Sequence, residues 1–393
     1  MSEWVVDKVK NQVSLLTDYV ANGSFASLAE NVTYHNSEDY AYLIRLTDYN
    51  NGFEGDFVYV DQHSYNFLAK SKLFGGEIII SNVGAYAGTT FLAPKLDKPM
   101  TLGPNAVMLN FQSGNKFYYY WFRSPLGKHA LDGIISGSAQ PKFNKTSFKE
   151  IEIPVPPLHE QKAIATVLSS LDDKIDLLHR QNKTLEAMAE TLFRQWFIEE
   201  AKEDWGEIAF GELVDLHDSK RVPLSQLQRD EKRVGQLYPY YGASGIIDYI
   251  NAHIFEGDYL LLSEDGENLR TRKTPIAFEA NGKFWVNNHA HVMQAKQPYT
   301  NGLLRILLEG ENLDSIITGA VQPKINQANL IGYKIPNFPH DLVQQYVTVS
   351  EPWFEKVSSN KQQIQTLENL RDILLPKLMS GEVRVQYQTE EVA

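Results

Sequence analysis

A stretch of about 40 residues, 157–198, carries apolar side chains at alternating intervals of four and three residues. This period places them along one stripe of a helix and predicts a rod of about 60 Å that pairs with another helix. The intervening positions are mostly polar, which favours a paired helix over the alternative, a long helix inside a globular core. The stripe, called here the first seam, comprises Ile164, Leu168, Leu171, Ile175, Leu178, Asn182, Leu185, Ala189, Leu192 and Trp196.

The partner helix is predicted by an internal repeat. Residues 137–157, GSAQPKFNKTSFKEIEIPVPP, match residues 319–339, GAVQPKINQANLIGYKIPNFP, at an offset of 182 positions that continues through the following helix. Pro352 is expected to interrupt the second helix near its start, so that it begins late or kinks. The second seam comprises Tyr346, Ser350, Trp353, Val357, Asn360, Ile364, Leu367, Arg371, Leu374 and Leu378. One polar Asn on each seam is expected to fix the register of the pair.

Short runs typical of β-strands precede each long helix. They are rich in β-branched and aromatic residues, they are bounded by Gly, Asn, Asp or Pro, and no regular series of helices alternates with them. We therefore expect an α+β fold with a twisted sheet in each globular half rather than a parallel α/β sheet. The predicted strands are 41–46, 57–60, 77–83, 106–111, 259–265, 275–280 and 283–295, and the run 116–124 is consistent with either strand or helix.

Composition indicates a cytoplasmic protein. The chain has 393 residues and no cysteine, its N-terminal sequence MSEWVVDKVK lacks an apolar signal core, and no apolar run approaches the length of a membrane span. The formal net charge of −12 disfavours nucleic acid, but residues 91–150 contain eight Lys and Arg against three Asp and Glu. Because local fields govern phosphate binding, we expect the chain alone to bind DNA weakly and to need basic partners.

Catalytic and cofactor motifs are missing from the sequence. His159-Glu160 begins a zinc-protease pattern, but Ala163 stands where the second His is required. There is no Walker sequence, no Asn-Pro-Pro-aromatic tetrapeptide and no Pro-Asp dipeptide. His289 and His291 could bind a metal, but a role in hydrogen bonding or in facing DNA bases is favoured over a metal site. The sequence thus predicts no catalytic residues, no cofactor and no metal.

The remaining polar clusters suit base recognition. Arg is the most frequent bidentate reader of guanine, and Asn and Gln read adenine. The alternative is that each cluster is a solvated turn, and that the repeated Gly-x-x-Gln-Pro-Lys loop is a purely structural corner. The candidate DNA-binding residues are Asn82, Tyr86, Thr89, Gln140, Lys142, Asn268, Arg270, Arg272, Lys273, His289, His291, Gln322 and Lys324.

These features resemble the specificity subunit of Type I restriction–modification systems. The resemblance is carried by GSAQPKFN (137–144) and GAVQPKIN (319–326), by PPLHEQKAIATVLSSLDDKI (156–175), and most specifically by LENLRDILLPKLMSGEVRV (367–385). It covers the whole chain in two ordered copies. The second helix entry, IPNFPHDLVQQ (335–345), departs from the PPL-x-EQ pattern of the first copy.

The resemblance implies two target recognition domains, each reading half of a split site in double-stranded DNA. It also implies two long helices packed as an antiparallel coiled coil that sets the spacer, around which two modification (adenine methyltransferase) subunits bind, with restriction subunits joining them. The subunit itself would be non-catalytic. The competing class is a coiled-coil protein-interaction scaffold without DNA readout. The expected boundaries are 1–152 and 201–335 for the recognition domains, 153–200 and 336–381 for the spacer helices, and 382–393 for a tail.

Overall fold

A computed structural model describes residues 4–201 and 205–385. The chain forms two compact units, Met1–Ile175 with Gln365–Ala393, and Asp176–Ile364. Each unit therefore contains one globular head and a half of each long helix. We call residues 4–157 the first head and residues 205–339 the second head. The predicted tail lies partly outside the described residues, which end at Val385.

The first head is built on two mostly antiparallel sheets. A four-stranded sheet has the order 13–18, 106–111, 78–81, 90–92, and a five-stranded sheet contains one parallel pair, 41–44 with 100–102. Its strands are Val5–Lys8, Val13–Asp18, Tyr34–His35, Ala41–Ile44, Val58–Val60, Lys72–Leu73, Ile78–Ser81, Thr90–Leu92, Met100–Leu102, Ala106–Phe111 and Glu152–Val155. Its α and 3₁₀ helices are Val9–Gln12, Tyr19–Asn22, Phe25–Asn31, Leu46–Asn50, Gln62–Phe67, Ala69–Ser71, Asn115–Arg123, Pro125–Asp132 and Lys145–Lys149.

The second head has one six-stranded sheet and two short strand pairs. Within the large sheet, strands 238–242 and 277–286 run parallel and the other neighbours antiparallel. Its strands are Glu207–Ala209, Val214–Leu216, Tyr238–Gly242, Gly245–Ile250, Phe255–Ser263, Ala277–Val286, Ala290–Ala295, Ile317–Thr318, Lys324–Ile325 and Lys334–Pro336. Its α and 3₁₀ helices are Phe210–Glu212, Asp218–Lys220, Gln226–Asp230, Asn268–Thr271, Asn301–Gly310, Asp314–Ile316 and Gln327–Gly332.

Local side-chain bonds explain where the predicted strands were wrong. The run 41–46 ends as a strand at Ile44, because the Asp48 carboxylate accepts the Arg45 backbone N–H at 2.7 Å and caps a helix from Leu46. The run 283–295 is two strands, since the Asn287 side chain accepts the His289 N–H at 2.8 Å and turns the chain. The undecided run 116–124 is a helix whose residues 117–122 are all buried, which hides its period.

The two long helices are Leu158–Arg194, extended by a π-helical turn Gln195–Glu199, and His340–Met379. Every position of both predicted seams is buried or partly buried, so the seams are confirmed. The expected late start or break at Pro352 is wrong, because the second helix begins at His340 and continues through this residue. Pro352 lies on the exposed side of the helix, and seam residues on both sides of it are covered. The lost backbone bond is therefore outweighed by packing.

The helices run antiparallel. In the first unit Arg371 donates to Asp172 at 3.0 Å, and in the second unit the Tyr346 hydroxyl donates to the Ala189 carbonyl at 3.0 Å. Later residues of one helix thus meet earlier residues of the other, as the predicted fold class requires. No helix in residues 4–201 and 205–385 combines the length and apolar content of a transmembrane segment.

The two seam asparagines meet inside the interface. Asn360 Nδ2 donates to Asn182 Oδ1 at 2.8 Å and to Gln181 Oε1 at 2.9 Å, and both Asn side chains are buried. They are 178 positions apart, so they are not equivalent members of the 182-residue repeat. A slide of either helix would separate two buried amides, which costs about 1–3 kcal/mol for each unpaired group. The pair therefore selects one register.

Replacing Leu178 by Asp is expected to destabilise the helix pair, because Leu178 is 2% exposed and the new carboxylate would be desolvated. We expect the midpoint of thermal unfolding to fall by about 6 °C or more, measured by circular dichroism. The neighbouring Leu177→Asp is the matched control, since Leu177 is 48% exposed and should melt close to wild type. Equal melting of the two variants would contradict the paired seam.

Candidate nucleic-acid interface

Each head presents the same hairpin, formed by the repeated Gly-x-x-Gln-Pro-Lys sequence. In the first head the backbones of Ser136 and Lys142 exchange two hydrogen bonds of 2.9 Å, and in the second head Thr318 pairs with Lys324. Gly137 and Gly319 open the hairpins with φ of +95° and +83°. A Cβ at Gly319 would lie 2.2 Å from the Gln322 carbonyl oxygen, so this turn needs glycine.

Both hairpins dock in the same way on the end of a central strand. Gly84 N–H donates to the Pro141 carbonyl at 2.9 Å, and Gly266 N–H donates to the Pro323 carbonyl at 3.0 Å. Both contacts join backbone atoms, and the two sets are 182 positions apart. The repeat therefore extends into the heads, which the sequence did not reveal. Backbone bonds leave the side chains around them free to differ.

The hairpin and the adjoining turn of each head carry exposed polar side chains. Gln140 and Lys142 in the first head, and Gln322 and Lys324 in the second, are exposed. Tyr86 is 67% exposed in the turn beside the first hairpin, while Asn82 and Thr89 are partly covered. In the second head Arg270 and Lys273 are exposed and Asn268 is partly covered. Most of the predicted DNA-binding residues thus lie on the hairpin of a head or in the turns next to it.

Two predicted readers are occupied in holding the backbone. Asn268 Nδ2 donates to the Thr274 carbonyl at 2.8 Å, and its Oδ1 accepts the Thr274 N–H at 3.1 Å, so both ends of the amide are used. Arg272 donates to the Glu311 carbonyl at 3.0 Å at the end of the helix Asn301–Gly310. Both side chains therefore have structural partners where free donors were expected.

Arg270 stabilises the second hairpin by hydrogen bonds to its backbone. Its guanidinium donates to the carbonyls of Gly319 and Ala320 at 2.9 and 3.3 Å. The tip that it supports carries Val321, whose side chain is almost fully exposed. A positioned, exposed apolar side chain beside Gln322 suits contact with a base edge such as the thymine methyl group.

The prediction that His291 faces DNA is wrong. Its side chain is 1% exposed, with Nδ1 at 2.6 Å from Asp218 Oδ2 and Nε2 at 2.9 Å from the Ile325 carbonyl. His289 is exposed and lies 2.8 Å from Asp265 Oδ2. The two histidines do not share a face because the strand starts at Ala290, so His289 belongs to the preceding turn.

His291 belongs to an ion network beneath the second hairpin that sequence reasoning missed. Arg221 bonds Glu264 and lies 3.3 Å from Asp218, and Lys324 Nζ lies 3.0 Å from Glu264 Oε1. Burial opposes ionisation of Asp218 and Glu264, but hydrogen bonds from His291 to Asp218, and from Arg221 and Lys324 to Glu264, lower the pKa of each carboxyl. Asp218, Glu264 and His291 lie close enough to ligate a cation. Since Arg221 and Lys324 already neutralise the carboxylates, we assign no metal to them.

The first head has a different side chain, Asn82, at the position equivalent to Glu264. Asn82 stands 182 positions before Glu264 and, like it, accepts a backbone bond from the hairpin, Phe143 N–H at 3.1 Å against Ile325 N–H at 2.8 Å. Within residues 4–201 and 205–385, Asn82 Oδ1 is buried without a hydrogen-bond partner. The two heads therefore keep one backbone scaffold under different side-chain chemistry.

Comparison with known proteins identifies the repeated architecture. A profile of the Type I restriction modification DNA specificity domain matches residues 20–187 and again residues 202–369. The MjaIX specificity subunit of a Type I restriction enzyme from Methanocaldococcus jannaschii is 27% identical over 306 residues, covering 69% of this chain and 70% of the relative. The MjaVIII specificity subunit of the same organism is 23% identical over 352 residues, covering 79% and 80%.

The fold agrees with a crystal structure of the S subunit of a Type I restriction–modification system from M. genitalium. The two share a TM-score of 0.60 at 18% identity over 96% of each chain. The two profile matches cover most of the sequence and coincide with the two heads and their helices. The chain therefore belongs to the family of Type I restriction–modification DNA specificity subunits.

Proposed function

We propose that the chain reads a two-part DNA target, one half with each head, and directs partner subunits that methylate or restrict the DNA. The observation that carries this proposal is the pair of equivalent hairpin surfaces. Their backbone geometry is repeated while the side chains around them differ. Equal scaffolds with unequal surfaces suit two different half-sites.

The shared and the divergent residues are assigned different roles. Gln140 with Lys142, and Gln322 with Lys324, are identical in the two heads, so they cannot distinguish two half-sites and suit common contacts such as phosphates, for which Lys324 must exchange its ion pair with Glu264. The neighbouring turns differ, with Tyr86 in the first head where Asn268 stands in the second. Residues of these turns are therefore the proposed base readers. The candidates Thr89, which is partly covered, and Arg270, Lys273 and His289, which are exposed, lie in or beside these turns.

The primary test is methyl transfer by the reconstituted complex. The chain alone should transfer no methyl group from S-adenosylmethionine to DNA, and adding the modification subunits should give methylation at one two-part sequence, read by sequencing. Turnover by the isolated chain would overturn the non-catalytic assignment. A complex without salt-dependent affinity for duplex DNA would favour the protein-interaction scaffold.

Lys142→Ala should weaken binding of the assembled complex to all DNA sequences alike. Losing one phosphate contact is expected to lower the slope of log affinity against log salt by about 0.9. Tyr86→Ala should instead relax recognition at one position of one half-site, at a cost of about 1–3 kcal/mol. Fluorescence anisotropy over a salt series, with target and unrelated duplexes, measures both.

Lys116→Ala is the control for Lys142→Ala, because Lys116 is an exposed cation in the same head and its loss changes the net charge equally. A salt slope that falls equally in both variants would show a general charge effect. Unchanged specificity in Tyr86→Ala would remove this turn from the readers.

The modification subunits are proposed to dock on exposed apolar side chains of the long helices. Met188 and Leu370 are 44% and 43% exposed and stand 182 positions apart, one in each unit. In the second unit Met188 lines a groove of about 580 Å³ together with Thr191, Leu192 and Trp353. Ile373 stands 182 positions after Thr191 and is also exposed. The exposed pairs Met188 with Thr191, and Leu370 with Ile373, are called here the two helix ridges. Two equivalent ridges suit two copies of one partner, each of which would place a helix along one ridge. Restriction subunits would then join the assembled complex.

Met188→Glu and Leu370→Glu should each remove one of the two modification subunits, because a carboxylate in an apolar contact is strongly unfavourable. Native mass spectrometry should show a one-to-one complex for each single variant and the free chain for the double variant. Gln344→Glu, an exposed change on the second helix, is the control and should leave two partners bound. Two partners on the double variant would exclude this ridge.

The long helices are proposed to set the spacer between half-sites. One heptad added to each helix, beside the Asn182–Asn360 pair, adds about 10 Å and preserves the seam. The half-sites should stay the same while the preferred spacer grows by up to about 3 base pairs at 3.4 Å each. Methylation sequencing of the variant reads both quantities. Changed half-sites with an unchanged spacer would rule out the helices as the ruler.

A further inference from the structure

The first head contacts the helix pair through an ion cluster on Asp172 of the first long helix. The Tyr120 hydroxyl donates to Asp172 Oδ2 at 2.8 Å, and Arg371 of the second long helix donates to Oδ1 at 3.0 Å. Arg123 Nη1, from the helix Asn115–Arg123, lies 4.0 Å from the same carboxylate. One helix carboxylate is thus held by the head and by the partner helix together.

The second head makes a cluster of the same kind on Glu186. Arg305, from the helix Asn301–Gly310, lies 3.8 Å from Glu186 Oε1, and Lys361 of the second long helix lies 3.5 Å from it. Arg305 also lies 3.4 Å from Glu279 and over the Phe354 ring at 5.9 Å. Its side chain is largely buried, so the pair is screened less than a surface pair.

The 182-residue repeat accounts for only one of the charged groups in each cluster. Arg123 and Arg305 are 182 positions apart, so the head cation is inherited. The carboxylate is not, because the position 182 after Asp172 is Phe354, and the second cluster takes its acid from the first helix again. An equivalent contact made from a non-equivalent residue indicates that each head requires it.

Apolar packing and polar contacts constrain different features of how a head is held on the helix pair. A Cβ on Gly302 would lie 2.5 Å from Phe354 Cδ2, so the glycine lets the second head approach the helix closely. Such packing fixes distance, whereas hydrogen bonds also fix direction, as those from Tyr120 and Arg371 to Asp172 do in the first cluster. In the first cluster burial opposes charge on Arg371, but its bonds to Asp172 and Asp372 raise its pKa, so this cation is kept.

We propose that these clusters set the angle of each head on the helix pair, and thereby the accuracy with which the spacer between half-sites is measured. Asp172 and Glu186 are then positioning residues. This inference rests on the proposed function, since spacer length has meaning only for a two-part target. The accuracy of the spacer would then depend on two features, the length of the helices and the rigidity with which each head is held on them.

The test is Asp172→Asn and Glu186→Gln in the complex with modification subunits, assayed on a DNA library that varies the spacer. Both changes keep side-chain size and remove the charge. The half-site sequences and the salt slope should stay the same. The ratio of methylation at the preferred spacer to that at spacers one base pair longer or shorter should fall about threefold or more in each variant. The two effects should multiply in the double variant, because the clusters lie in separate units.

Asp173→Asn and Glu190→Gln are matched controls, since both residues are exposed acids on the same helix. Spacer ratios in Asp172→Asn and Glu186→Gln equal to those of their controls would overturn the inference and leave the proposed function intact. If either variant fails to assemble, Arg123→Lys and Arg305→Lys, which keep the charge and lose the fork, decide by the same ratio. A wild-type complex that methylates no two-part target would refute the proposed function itself.

Discussion

The buried seam between the two long helices is the constraint on which the rest of the structure depends. Each unit contains half of both helices, so neither head has a complete core without the pairing. Apolar packing alone tolerates slides of one heptad, because Leu, Ile and Val side chains are interchangeable along a seam. The bonds from Asn360 to Asn182 and Gln181 remove this freedom. The seam supplies the stability of the helix pair and its asparagines supply one register.

Duplication separates stability from recognition in this protein. The helices, the hairpin glycines and the backbone bonds of the hairpin are repeated, and none of them needs a particular exposed side chain. The residues that cover the scaffold then differ freely, as shown by Asn82 in one head and the Glu264 ion network in the other. A new surface can therefore arise without changing the support that positions it.

The sequence predicted what depends on local periodicity and failed where contacts are distant in the chain. Both seams were predicted residue by residue, because a stripe at helical spacing reports its own burial. The effect of Pro352 on the second helix was overestimated, because the sequence shows the proline but not the packing that keeps the helix continuous. His291 was assigned to the DNA surface because its partners, Asp218 and the Ile325 carbonyl, are distant in the chain. The ion network joins Asp218 and Arg221 to Glu264, which lies more than 40 positions away, so no local pattern in the sequence predicts it.

The same ion network makes the two hairpins electrically unequal although their sequences match. Lys324 forms an ion pair with Glu264, whereas Lys142 has no ion-pair partner within residues 4–201 and 205–385. A phosphate beside the first hairpin would meet an uncompensated cation, while one beside the second would compete with a carboxylate for Lys324. Of the two hairpin lysines, Lys142 of the first head should therefore contribute more to counterion release. On the proposed function, a net charge of −12 would leave most of the remaining neutralisation of the DNA to partner subunits. Loading onto DNA and reading of its sequence would then be divided between different chains of the complex.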